Sequence, residues 1–190
     1  MSLVELVDNN RTDKNTTHSY LGLYEDLLHL KKETARNILE IGIGQHYHAN
    51  GGSIKLWHDY FPNAQVYAVD ILPLDNVYDG IKNNERIHLY TSSDSYQREF
   101  FDSHLSHIIF DMILDDGPHT LESQKMFIEL YSGLLCDDGI LIIEDIQSYD
   151  WFETLKSCVP DELKQFIEIY DLRHVKGRYD DLVFVINKSK

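Results

Sequence analysis

Two apolar runs in this 190-residue chain end in acid: one closes as Leu114-Asp115-Asp116-Gly117-Pro118-His119, the other as Ile143-Glu144-Asp145. If both runs are parallel strands of one sheet, their carboxyl ends share a rim and Asp115, Asp116, Glu144 and Asp145 emerge there together. Like charges held that close raise one another's pKa values unless a cation neutralises them. Ligation by oxygen alone selects a hard ion, Mg²⁺ or Mn²⁺. Zinc fits less well, because it favours His and Cys and only His119 lies in this segment. The plain alternative is that these carboxylates cap helices or pair with Lys and Arg. His119, three residues after Asp116, has the chemistry of a general base, since an ordinary imidazole is neutral and proton-accepting near pH 7. His46 and His48 have metal-like spacing but no third ligand nearby, and His29, His58, His88, His104, His107 and His174 show no chemical context.

A second constellation follows an earlier run. Glu40-Ile41-Gly42-Ile43-Gly44 leads through a loop with Gly51 and Gly52 to Ser53, which opens a helical stretch. Glycines there let backbone approach a ligand closely. The dinucleotide fingerprint needs a third glycine, and Gln45-His46-Tyr47 follows instead. Glu40 precedes the glycines, and Asp70 with Ile71 ends the next run. An acidic cradle suits an ammonium, a sulfonium and a ribose diol, and suits a diphosphate badly. S-adenosylmethionine (SAM) therefore fits better than a nicotinamide dinucleotide. Ser93 and Asp94 follow the third run, where a residue could meet an adenine or equally cap a helix.

The elements that must position these residues are short β-branched runs at 38–43, 66–71, 86–90, 108–114 and 140–145, alternating with amphipathic stretches at 53–61 and 120–135. Such alternation predicts a mostly parallel sheet with helices on both faces. At the C-terminus, 166–172 and 181–188 are separated by a short polar stretch containing Gly177 and read as two adjacent antiparallel strands closing the sheet, seven strands in all. No linker, repeat or low-complexity tract divides the chain, so 1–190 reads as one domain. Lys and Arg number 17 against 32 Asp and Glu, a formal charge of −15, which disfavours a nucleic-acid partner. Cys136 and Cys158 have no CxxC spacing and read as reduced core thiols. The absence of a leader-like start or an apolar span predicts a soluble, cytoplasmic protein with no membrane partner.

Over nearly its whole length the chain resembles class I SAM-dependent methyltransferases, and within them the macrocin and mycinamicin sugar O-methyltransferases. The resemblance rests on TDKNTTHSYLGLYEDLL (12–28), ILEIGIG with GGSIKLWHDYFPNAQVYAVDI (51–71), FDMILDDGPH (110–119), DDGILIIEDIQ (137–147) and RYDDLVFVI (178–186). It implies a Rossmann-like fold, with residues 1–33 forming a helical segment over the cofactor pocket. It implies that Asp116, Glu144 and Asp145 bind Mg²⁺ (or Mn²⁺), with Asp116 and His119 catalytic and His119 the base. Thr12, Asp13, Lys14, His18, Tyr20 and Tyr24 become pocket residues, although Tyr20 and Tyr24 alone are simply an i,i+4 aromatic pair. The expected cofactor contacts are Thr12, Lys14, Tyr20, Glu40, Gly42, Gly44, Ser53, Asp70, Ile71, Ser93, Asp94 and Asp115. Two departures stand out: Pro118 replaces the usual serine, and Ser123 stands where many relatives have a further histidine. The expected activity is metal-assisted methyl transfer to a hydroxyl of a sugar, in a small molecule or glycan with vicinal hydroxyls. A catechol-type diol methyltransferase and a SAM-binding module without turnover are the alternatives, and a homo-oligomer is left open.

Overall fold

The computed structural model describes residues 1–44 and 50–190, so the reading of His46 and His48 lies outside the described residues. In chain order the elements are α1 (Leu3–Leu6), α2 (Tyr20–Leu28), β1 (Asn37–Ile41), α3 (Gly52–Tyr60), β2 (Gln65–Val69), β3 (Ile87–Tyr90) and α4 (Arg98–His104). There follow β4 (Phe110–Asp115), α5 (Leu121–Tyr131), β5 (Leu135–Ile143), α6 (Trp151–Cys158), β6 (Ile167–Asp171), α7 (Arg173–Lys176) and β7 (Leu182–Asn187). The seven strands form one sheet in the order β3-β2-β1-β4-β5-β7-β6. All pairs from β3 across to β5 are parallel, and β7 runs antiparallel to both β5 and β6. The chain winds outward from β1 to β3, then restarts at β4 on the other side of β1. That reversal opens a crevice at the carboxyl ends of β1 and β4, where an open α/β sheet takes its ligands.

Strand parity decides which side chain meets which layer. Ile38, Met112, Leu114, Ile140, Ile142, Val183 and Val185 pack on one face against α2 and α3, with Tyr24, Leu28, Ile54 and Trp57. Leu39, Ile41, Ile113, Leu141, Ile143, Phe184 and Ile186 pack on the other face against Phe101, Phe127, Ile128 and Phe152. Over the central strands both faces are covered, which is why β1, β4, β7 and the second half of β5 are almost continuously apolar, while the edge strands β3 and β6 are mostly half-buried. The helices α4 and α6 have weak sequence signatures because each buries so little: Phe101 in α4, Phe152 and Leu155 in α6. Strand β5 begins five residues before the apolar run does, since the ladder with β4 continues through a register shift between Phe110 and Met112. The two cysteines are free and half-buried rather than core thiols, and burial holds the Cys136 thiol up at about 11. Among the described residues no helix is long and apolar enough to cross a membrane.

Glu25 ties the N-terminal segment down by accepting from the Leu3 backbone N–H (2.6 Å) and the Tyr60 hydroxyl (2.9 Å), joining α1, α2 and α3. Between α1 and α2 the chain crosses the crevice, and residues 9–13 and 16–18 wall its wider part.

Candidate active site

Two adjoining cavities fill the crevice. The narrower, about 360 Å³, is lined by Gly42, Gly44, Asp70, Ile71, Ser93, Asp94, Ser95 and Tyr96 among others. The wider, about 560 Å³, lies under residues 9–18 and reaches His119, Asp145, Arg178 and Asp180. Gly44, Asp116 and Gly117 line both, so Asp116 stands where the two meet.

The glycine turn after β1 is shaped by left-handed backbone and close approach. Gly42 has φ +97°, and a Cβ there would lie 1.9 Å from the Asp116 carbonyl oxygen. Asp70 holds the turn: its Oδ2 accepts from the N–H groups of Ile43 (2.6 Å) and Gly44 (3.3 Å), and its Oδ1 from Leu72 N–H (2.9 Å). Among the described residues, those lining this cavity include Asp70, Asp94 and Asp116 but no Lys or Arg, so they offer a sulfonium carboxylates and a diphosphate no cation.

Of the residues expected to touch a cofactor, Gly42, Gly44, Asp70, Ile71, Ser93 and Asp94 line this cavity, whereas Thr12 and Ser53 line the wider one. Lys14, Tyr20, Glu40 and Asp115 line neither. Parity explains much of this. Glu40 shares the face of Ile38, so it points into the layer below α3, where Ser53 Oγ (2.6 Å) and the Trp57 indole donate to it. Asp115 shares the face of Ile113 and accepts from the Tyr96 hydroxyl (2.5 Å). Burial pushes both carboxyls up to about 7.

The four carboxylates of the rim therefore do not converge on one point. Asp115 faces Tyr96, and Glu144, on the face of Ile142, meets the Lys14 ammonium and the Tyr24 hydroxyl. Lys14 also reaches Asp116 Oδ2 at 2.7 Å and Glu40 Oε1 at 3.8 Å. Burial opposes its charge, but Asp116, Glu144 and Glu40 together outweigh burial and raise its pKa well above the ordinary lysine value. Part of the cation that the cluster demands is thus a side chain of the protein, a partner that sequence spacing could not reveal across 102 and 130 residues.

Asp116, Asp145 and His119 do gather, with one ligand atom from each lying within 4.8 Å of the others. His119 Nε2 is 3.7 Å from Asp116 Oδ1 and 3.5 Å from Asp145 Oδ2, and its side chain is 31% exposed toward the wider cavity. His119 and Asp145 both hold left-handed backbone, φ +53° and +54°. Non-glycine residues there cost on the order of 1–3 kcal/mol and need surroundings that hold them. For Asp145 those surroundings are the Tyr20 hydroxyl, His18 Nδ1 (3.2 Å) and Gln147 Nε2 on its carbonyl (2.8 Å). Tyr20 and Tyr24 stack at 5.7 Å, and each also donates to a rim acid. Ser123, in place of a histidine, completes a capping box with Thr120 at the start of α5.

Sequence reasoning passed over three contributors. Tyr96 is one. Arg178 with Asp180 (3.0 Å), at the wider cavity, is another. The third is Asp181, fully buried and 2.7 Å from His18 Nδ1. For Arg178, Asp180 and Asp181 the signal was the polar run Arg178-Tyr179-Asp180-Asp181 before an apolar strand; Tyr96 had none.

No family model matches the chain. It is 28% identical over 134 residues, 68% of its length and 32% of the relative's, to 8-demethyl-8-(2-methoxy-alpha-L-rhamnosyl)-tetracenomycin-C 3'-O-methyltransferase of Streptomyces olivaceus. It is 30% identical to L-olivosyl-oleandolide 3-O-methyltransferase of Streptomyces antibioticus, over 70% of this chain and 34% of that one. The chain thus spans about a third of the length of the curated relatives it matches. Among solved structures, the MycE methyltransferase of the mycinamycin biosynthetic pathway, in complex with Mg and SAH, superposes with a TM-score of 0.76 at 22% identity, over 98% of this chain and 55% of that one. An O-methyltransferase from Bacillus cereus in complex with SAH superposes with a TM-score of 0.57 at 18% identity, over 85% and 77% of the two chains.

Proposed function

Because this chain has the class I SAM-dependent methyltransferase fold and is related in sequence to bacterial sugar O-methyltransferases, we propose that it methylates a sugar hydroxyl with SAM as donor. The observation that carries the acceptor class is the lining of the wider cavity. Asn9, Asn10, Thr12, Asp13, Thr16 and Thr17 face it, and among the described residues Ile43 is its one large aliphatic residue and no Phe, Tyr or Trp lines it. Such a wall hydrogen-bonds a polyhydroxylated ring and offers little to a flat catechol.

The donor belongs in the narrower cavity, its sulfonium toward the shared residues Asp116 and Gly117. A hydroxyl entering beneath residues 9–18 meets the same junction from the other side, which supplies the alignment a methyl transfer needs. His119 takes the hydroxyl proton, and Asp116 and Asp145 stabilise the imidazolium that forms. The carboxylate oxygens of Asp116 and Asp145 would suit a hard divalent ion, which if bound would lower the pKa of an acceptor hydroxyl. The net charge of −15 argues against nucleic acid as acceptor.

Isothermal titration with SAM and with NAD⁺, each with and without Mg²⁺, tests the donor. Micromolar SAM binding and no NAD⁺ signal is the expected result, and a glycoside-acceptor screen follows. SAM binding with no turnover on any glycoside or diol would reduce the chain to a binding module. Asp70→Ala removes the acceptor that holds the Ile43, Gly44 and Leu72 N–H groups in the turn, so SAM should bind at least about tenfold more weakly. An affinity within twofold of the native value would show that Asp70 does not shape the donor site.

A further inference from the structure

We propose that Lys14 is a permanent internal cation of the active site that withholds Glu144 from divalent-ion coordination, leaving Asp116 and Asp145 as the ion's carboxylate ligands. This rests on the reading of Asp116 and Asp145 as a divalent site and departs from the three-carboxylate set that the resemblance implies.

Each of the two Glu144 carboxylate oxygens is held by a buried neighbour. One accepts from the Lys14 ammonium and the other from the Tyr24 hydroxyl. Glu144 is 1% exposed and lines neither cavity, so an ion arriving through the crevice does not meet it. The ammonium that holds it is equally enclosed, 1% exposed, and spans three carboxylates, Glu40 near the end of β1, Asp116 just after β4 and Glu144 just after β5. Asp116 divides its oxygens: Oδ2 faces Lys14 at 2.7 Å, while Oδ1 faces His119. Oδ1, the oxygen turned away from Lys14, is therefore the one placed beside Asp145 and His119. The group of ligand atoms within 4.8 Å accordingly contains Asp116, Asp145 and His119 and omits Glu144.

A lysine does at Glu144 what a divalent ion does elsewhere, without needing to be acquired from solution. It also pins the stretch that carries Thr12 and Asp13 over the wider cavity, so the charge balance of the rim and closure of that wall depend on one side chain. If the ammonium is removed, Glu144 and Asp116 Oδ2 lose the cation that holds them, and the carboxylates either take up protons or turn toward a divalent ion at the junction that Asp116 lines.

The test is a Mn²⁺ titration followed by electron paramagnetic resonance of free Mn²⁺, on the native chain, Glu144→Gln, Lys14→Met and the double variant. Native protein and Glu144→Gln should bind Mn²⁺ within about threefold of each other, since Glu144 is not a ligand. Lys14→Met should bind at least about tenfold tighter through the freed carboxylates, and adding Glu144→Gln to it should cancel that gain. A tenfold or greater loss in Glu144→Gln alone overturns the proposal while leaving the divalent site intact. Native protein that binds no Mn²⁺, with binding appearing in Lys14→Met and vanishing in the double variant, overturns the divalent site and supports the role of Lys14. No binding in any of the four overturns both. Far-UV circular dichroism checks that each variant is folded. If Lys14→Met is not, Glu144→Gln decides: affinity retained supports the proposal and affinity lost overturns it.

Discussion

Gly42→Ala should lower the melting temperature by about 6–12 °C and abolish SAM binding. Two penalties add. The alanine must adopt φ +97°, and its Cβ would sit 1.9 Å from the Asp116 carbonyl oxygen, a backbone atom in the loop after β4 that cannot rotate away. Overpacking and left-handed strain of this kind together cost roughly 3 kcal/mol or more. In a domain of this size each kcal/mol moves the midpoint by about 2–4 °C. The displaced segment is the one that presents Asp116 to both cavities, and Asp116 N–H is bonded to Ile41 O at 2.8 Å. Stability and donor binding should therefore fail together. Differential scanning fluorimetry and titration with SAM measure both, and a variant with native melting and affinity would mean that β1 and β4 do not meet so closely at their ends.

His119→Asn should lower kcat by about 10²-fold or more on any acceptor the screen identifies, with the SAM dissociation constant unchanged within about threefold. Asparagine is the informative replacement because it tolerates the left-handed backbone that His119 occupies, so the loss reports the imidazole and not a collapsed turn. A general base is expected to shift the rate and leave Mn²⁺ affinity near native. A tenfold loss of Mn²⁺ affinity would instead make His119 a ligand of the ion beside Asp116 and Asp145, and unchanged turnover would remove it from the reaction.

The centre of the sheet was readable from the sequence because strands buried on both faces must be apolar almost throughout, as β1, β4, β7 and the second half of β5 are. The antiparallel closure by β6 and β7 was readable too, since their short polar connection leaves no room for a crossover helix. The donor cavity was partly legible: glycines and acids at strand ends need only chain-local geometry, and Gly42, Gly44, Asp70, Ile71, Ser93 and Asp94 all line it. Helices α4 and α6 were not, as their buried faces carry one or two residues each.

By itself, then, the sequence determined the strand ends, the residue types that gather there and the excess of negative charge to be balanced. Only the tertiary structure decided how that charge is divided. Parity at the ends of β4 and β5 sends Asp115 to Tyr96 and Glu144 to the α2 side, and left-handed backbone turns Asp145 back toward Asp116 and His119. Lys14, more than a hundred residues away in sequence from Asp116 and Glu144, then enters between them. Counter-charges are chosen by distance in space, which falls off as the inverse of separation and takes no account of separation along the chain.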